Sequence, residues 1–138
     1  EHQPNKIFTV EEANGLLPKV ASLIQQLQGL QRSLVETNHT LEELTEKMAA
    51  GNGYPLQSLK EQIEKLTTHQ LQLAEALHSA LQQLETLGCE LKDLNTGLLD
   101  FYTIRDGALT YLCWKLGEPQ IQFWHTLEDG YMGRQPLH

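Results

Sequence analysis

Side chains capable of chemistry gather in the last third of the chain. Cys113 and His125 are a possible thiol nucleophile and its base, or two ligands of a zinc ion. Glu90 and Asp100 offer two carboxylates; held close, they would repel, raising one pKa for acid or base work, or would share a metal or a basic partner. Arg134 is flanked by Gly133 and Pro136, which would let the chain turn back and aim a bidentate guanidinium at Asp100. Tyr102, Tyr111 and Trp124 could supply a dry aromatic wall beside these groups. The earlier part of the chain carries Glu36 with His39 and Glu75 with His78, a spacing that puts both ligands on one helix face in di-iron bundles.

These residues can meet only if the intervening elements allow it. From Val20 the apolar residues fall into heptads: Val20, Leu27, Leu34, Leu41 and Met48, joined by Leu23, Leu30, Thr37 and Leu44. After the turn Ala50-Gly51-Asn52-Gly53-Tyr54-Pro55 the pattern resumes with Leu56, Ile63, Gln70, Leu77 and Leu84, and with Leu59, Leu66, Leu73, Ala80 and Leu87. Two long antiparallel helices are expected, each of about 30 residues and roughly 45 Å. The turn pairs positions whose numbers add to about 104, so Leu34 faces Gln70, Glu36 lies near Thr68 and Glu75 near Gly29. The two Glu-x-x-His pairs therefore do not meet, and both lie off the heptad seam, where solvated side chains are expected. Ahead of the hairpin, Thr9 and Glu12 suit a capping box, and Pro18 is expected to end or kink a short first helix.

Beyond Leu87 the composition shifts to glycine, aromatic and β-branched residues. Four strands are expected, Cys89 to Asp93, Leu98 to Thr103, Ala108 to Leu116 and Gln120 to Thr126, followed by a turn-rich tail. Asn95-Thr96-Gly97 and Asp106-Gly107 suit hairpin turns, while Pro119 argues for a four-residue loop that pairs Lys115 with Gln120. That register sets the faces. Cys89, Leu91, Leu99, Phe101, Leu112, Trp114, Leu116, Ile121 and Phe123 share one. Glu90, Asp100, Cys113 and Gln122 form a row on the other, beside Tyr102, Tyr111 and Trp124, with Lys92, Leu98, Lys115 and Gln120 beyond. His125 then pairs with Thr110 on the inner face, so Cys113 and His125 would need a bulge to converge, and Cys113 is expected to behave as a small apolar residue. The tail residues Tyr131, Met132 and Leu137 are expected to fold over the aromatic cluster, and Arg134 to neutralise the carboxylates.

Composition narrows the function classes. The 138 residues hold 18 acidic and 10 basic side chains, and neither the helical part nor the remainder reverses the sign. With no basic cluster, a phosphate-tracking nucleic-acid surface is not expected. No stretch reaches the roughly 20 apolar residues of a membrane helix and Glu1 to Lys6 hold no signal core, so a cytoplasmic protein is expected. A chain that opens at Glu1 is expected to have been trimmed or processed. Two cysteines are too few for a disulfide framework, and reduced thiols that do not bridge are expected. No glycine-rich phosphate loop, Ser/His/Asp order or nucleotide motif is present.

Several strings of the C-terminal third resemble a prokaryotic family of uncharacterised proteins, domain of unknown function 2203. They are Lys92-Asp93-Leu94, Gly97-Leu98-Leu99-Asp100-Phe101, Arg105-Asp106-Gly107, Leu112 through Pro119, and Trp124-His125 through Gly133-Arg134-Gln135-Pro136. The opening Phe8-Thr9, Glu12-Ala13-Asn14 and Leu16-Leu17-Pro18 is similar to that family's start. The resemblance implies a long helical hairpin with a compact C-terminal part and brings no activity.

The expected architecture is a single α+β domain over 1–138: a helical part at 8–87 with a coiled-coil-like hairpin, a four-stranded antiparallel β-meander at 88–126 and an irregular tail at 127–138. Off-seam Ile24, Val35, Leu71 and Leu81 widen the apolar stripe beyond one hairpin's needs. The leading function is accordingly a non-enzymatic assembly protein that forms a homodimer or higher oligomer through the hairpin and presents sheet and tail to a protein partner. The alternative is a small enzyme or a ligand- or metal-binding protein with its site on the outer sheet face beside the tail. Its binding residues would be Asp100, Cys113, Trp124, Arg134, Glu90 and Tyr111; catalytic groups and cofactors are not specified, and no metal ligands are assigned.

Overall fold

The computed structural model describes residues 4–51 and 53–137; Glu1–Gln3, Asn52 of the expected interhelical turn and His138 lie outside the described residues. The first helix, α1, runs Val10–Ala50. Its start is the reciprocal cap: the Glu12 backbone N–H donates to Thr9 Oγ1 at 3.1 Å and the Thr9 N–H donates to Glu12 Oε1 at 2.9 Å. The short separate helix expected before Pro18 is not formed, because α1 continues through the proline. Pro18 removes one donor, yet it is exposed, while Ala13, Leu17, Val20, Leu23 and Ile24 around it are buried. Burial of five apolar side chains outweighs one lost hydrogen bond.

The second helix, α2, spans Leu56–Leu87 and packs with α1. The heptad positions form the contact: Leu27, Thr37, Leu44, Leu59, Leu73 and Ala80 are buried. Gln70 Nε2 donates to Asn38 Oδ1 at 2.6 Å, so Gln70 reaches one turn past Leu34, the partner expected from the loop. Of the off-seam residues Ile24 is buried, whereas Val35, Leu71 and Leu81 are exposed. The chain forms two compact units, residues 27–80 and residues 1–26 with 81–138, and both helices contribute to each. Among the described residues, no helix is long and apolar enough to cross a membrane.

Gly88, at φ 96°, ends α2 in the left-handed conformation that only glycine adopts cheaply. Five antiparallel strands follow in spatial order β1 (Glu90–Asp93), β2 (Leu98–Arg105), β3 (Ala108–Lys115), β4 (Phe123–His125) and β5 (Gln135–Pro136). The fifth, which adds to the four expected, comes from the tail. The β2–β3 turn has Asp106 at φ 51° and Gly107 at φ 79°, the hairpin geometry Asp-Gly favours. Gly97, at φ 72°, is required twice, since a Cβ there would also lie 2.6 Å from Leu116 Cβ. Pairing of β2 with β3 follows the expected register, with Asp100 opposite Cys113; β1 begins in the expected register, with Glu90 opposite Asp100, but a shift between Leu91 and Asp93 puts Asp93, not Lys92, opposite Leu98.

The β3–β4 pairing differs by one residue. Tyr111, not Thr110, lies opposite His125, and Cys113 lies opposite Phe123. The connection is wider than a four-residue loop because polar groups outside the ladder hold it. Glu118 Oε1 accepts the Lys115 N–H at 2.8 Å, its carbonyl accepts Trp114 Nε1–H at 3.0 Å, and Asn14 Oδ1 of α1 accepts the Ile121 N–H at 2.6 Å. Ile121 is thereby pinned in the core and pairing resumes only at Phe123. A one-residue slip exchanges the faces of a strand. Trp124 and Phe123 therefore trade places relative to the expectation, and His125 joins the outer face.

Candidate functional site

That face now holds one row of Glu90, Asp100, Cys113 and Phe123 and a second of Tyr102, Tyr111 and His125. Asp100, Cys113 and His125 come from three consecutive strands, are all buried, and bring one donor atom each within 4.8 Å of the others. His125 Nε2 lies 3.0 Å from Asp100 Oδ1, and its Nδ1 lies 2.8 Å from the carbonyl of Thr126. A carbonyl oxygen can only accept, so Nδ1 carries a proton. The Nε2–Oδ1 contact holds a further shared proton, since without one a lone pair would face a carboxylate. The Cys113 Sγ lies within 4.8 Å of a donor atom of each of the other two.

Burial dominates the electrostatics here. It raises the Asp100 pKa above the ordinary carboxylate value, with the charge and hydrogen bond of His125 opposing the shift. Burial and then the Asp100 charge push the Cys113 thiol up to about 12, against the pull of Arg134. Cys113 is accordingly a neutral thiol at pH 7 and a poor free nucleophile. Cys89, also a free thiol, is pushed up by burial to about 11 and lies 3.5 Å from the Leu84 carbonyl.

Around this trio the outer face is polar and tied together. Lys92 Nζ lies 2.8 Å from Glu90 Oε1 and 5.0 Å from the centre of the Tyr111 ring. The Tyr111 hydroxyl donates to Glu90 Oε1 at 3.0 Å and sits 3.2 Å from the Tyr102 hydroxyl. Partial burial would raise Glu90, but hydrogen bonds from Lys92, Tyr102 and Tyr111 hold it below the usual carboxylate range. The Tyr111 ring also packs on His125, centroids 5.2 Å apart. A pocket of about 190 Å³ opens on Asp100 and His125, bordered also by Lys92, Tyr111 and tail residues from Leu127 to Tyr131.

The residues singled out from sequence are thus divided. Asp100, Cys113, Glu90 and Tyr111 share the outer face. Trp124 does not: it pairs with Leu112 on the opposite face, under the Arg105 guanidinium at 4.9 Å. Arg134 does not pair with Asp100. It makes a bidentate pair with Glu118, at 2.7 and 2.8 Å, and stacks 4.0 Å from the Phe123 ring centre, with its Nη2 also donating to the Cys113 carbonyl at 3.3 Å. Glu118 wins because its loop is already anchored at Lys115, which presents both carboxylate oxygens to the tail. Burial pushes Glu118 up, but the Arg134 hydrogen bonds outweigh it and leave the carboxyl below its usual range. Met132 points to water at 95% exposure and covers nothing, whereas Tyr131 borders the pocket. Both Glu-x-x-His pairs are exposed, and His39 lies 3.8 Å from Glu43. His125, the residue that completes the trio, faces outward through the register of a single loop, against the inward placement expected from sequence.

A family model described as Uncharacterized conserved protein (DUF2203) matches residues 6–137. No curated protein and no solved structure matches the chain.

Proposed function

The chain belongs to that DUF2203 family, a membership that carries no activity, and we propose on this footing that the protein binds a zinc-class divalent ion through Asp100, Cys113 and His125. The observation that carries this reading is the trio itself: a carboxylate, a thiol and an imidazole, buried and within 4.8 Å of one another on three neighbouring strands. A thiolate with an imidazole selects zinc-like ions over magnesium or calcium, which prefer six or more oxygens. The Nδ1–H donated to the Thr126 carbonyl supports the same reading, because zinc-binding histidines are held in this way and leave Nε2 for the metal. The buried free thiols suit a reducing, cytoplasmic setting.

Binding must displace the thiol proton and the proton shared by His125 and Asp100, so affinity rises with pH. The test is titration of chelator-treated protein with Zn²⁺ against a chromophoric competitor. One equivalent is expected, with Cys113→Ser, His125→Gln and Asp100→Asn each weakening it at least tenfold and acidification weakening it in the parent. Stoichiometric binding that survives His125→Gln and Cys113→Ser would assign the ion elsewhere, and no binding by the parent would end the proposal.

A second reading rests on residues 27–80. Val35 and Leu71 are apolar yet 63% and 59% exposed. Such residues support a homodimer joined along the hairpin.

A further inference from the structure

Three protein donors leave one position of a tetrahedral ion unfilled. Structural zinc sites close that position with a fourth side chain, whereas sites that exchange ligands leave it to water or substrate. Among the described residues the trio is the sole group of three or more candidate ligands, and no fourth thiol, imidazole or carboxylate joins it. Asp100 and His125 border the 190 Å³ pocket, while Cys113 does not and lies behind them. Resting on the metal reading above, we infer that the fourth position faces this pocket and takes the carboxylate of a small organic acid in exchange for water.

The walls decide the class of ligand. At about 30 Å³ per water, the pocket holds roughly six waters, enough for a short carboxylic acid and too little for a nucleotide. The Asp100 and thiolate charges would balance a divalent ion, so the ion attracts an oxygen donor without demanding several negative charges. Lys92 at the wall has three donors and spends one on Glu90, which leaves it able to meet the second carboxylate oxygen. Glu128 and Asp129 line the same pocket and are exposed; their charges disfavour a doubly charged ligand such as phosphate. Leu98 and Leu127 offer apolar wall for a short alkyl group. One negative charge, two oxygens and a short apolar body describe a monocarboxylate.

The full chain loaded with Co²⁺ reports on this position, because the visible spectrum of the ion changes when a ligand is exchanged. Acetate should produce a saturable change, and inorganic phosphate should bind at least tenfold more weakly. Lys92→Met should weaken acetate about tenfold, and Leu127→Trp, which fills the pocket, should abolish the response while one Co²⁺ remains bound. One Co²⁺ with a spectrum indifferent to acetate would overturn the exchangeable position and leave the metal reading intact. Phosphate binding as tightly as acetate would overturn the monocarboxylate assignment. A chain that binds no Co²⁺ would overturn the metal reading and this inference together, so the two failures are separated by stoichiometry.

Discussion

Glu36, His39, Glu75 and His78 on the hairpin helices and Asp100, Cys113 and His125 on the sheet draw on nearly the same residue types, yet their surroundings are opposite. The His39 side chain is 73% exposed and 3.8 Å from Glu43, whereas that of His125 is 3% exposed and 3.0 Å from Asp100. In water such a pair contributes little, about 0–1 kcal/mol, because solvent screens it and two long side chains must be ordered. In the interior each polar group depends on its partner, and removal of one leaves the other uncompensated. Spacing along a helix therefore identifies neighbours without making a site. Cross-strand pairing under a covering tail makes one, because it joins residues distant in sequence and excludes water from them.

The sharpest way to break this contrast is to delete one imidazole from each region. His125→Ala should destabilise the fold by about 3–5 kcal/mol, since it strands the buried Asp100 and empties a packed position beside Tyr111. His39→Ala should change stability by less than about 0.5 kcal/mol. Urea unfolding with chelator present, which removes any contribution from bound metal, measures both. Equal effects from the two changes would show that the burial difference has no energetic content.

The Glu118–Arg134 pair is intermediate, its side chains 17% and 10% exposed. Glu118→Gln should cost about 2–3 kcal/mol, through loss of a bidentate, partly buried pair. Its pH dependence has a definite direction. The folded Glu118 carboxyl titrates below its unfolded value, so its contribution is fully present above the ordinary glutamate pKa of about 4.3 and is lost as pH falls through the folded value. The melting temperatures of parent and Glu118→Gln should therefore differ most at neutral pH and converge in acid. A difference that persists undiminished at pH 3 would mean that Glu118 acts through packing, not charge.

What was legible before the fold was known follows the same division. Heptads, the Thr9–Glu12 cap and the Asp106-Gly107 turn are local signals, and each sets its element directly. The face of β4 is not local. It depends on Asn14, in the first turns of α1, accepting the Ile121 N–H, and on Glu118 folding back onto Lys115. No periodicity in residues 116–126 reports either bond, so the sequence pattern alone puts Trp124 and His125 on each other's face. Strand β5 has two residues, too short for any alternation, and Arg134 had several carboxylates to choose among. Pro18 shows the reverse failure, a strong local signal overruled by the buried residues around it.

The smallest effect on folding is expected on the hairpin. Val35→Gln and Leu71→Gln replace side chains that already face water, with similar helix propensity, so each should alter the stability of the isolated chain by less than about 0.5 kcal/mol. If the hairpin joins two copies, the same changes act on a buried face, and two-fold symmetry counts each of them twice. Burial of one leucine is worth about 1.5–3 kcal/mol, so Leu71→Gln alone should weaken the dimer by about 3 kcal/mol or more, a hundredfold or more in Kd. Light scattering at micromolar concentration reads this without reference to folding. The parent should have twice the chain mass, and the double variant the mass of one folded chain. A parent that is already monomeric removes the hairpin's assembly role, and its exposed leucines then become ordinary surface apolar residues beside a site that works alone.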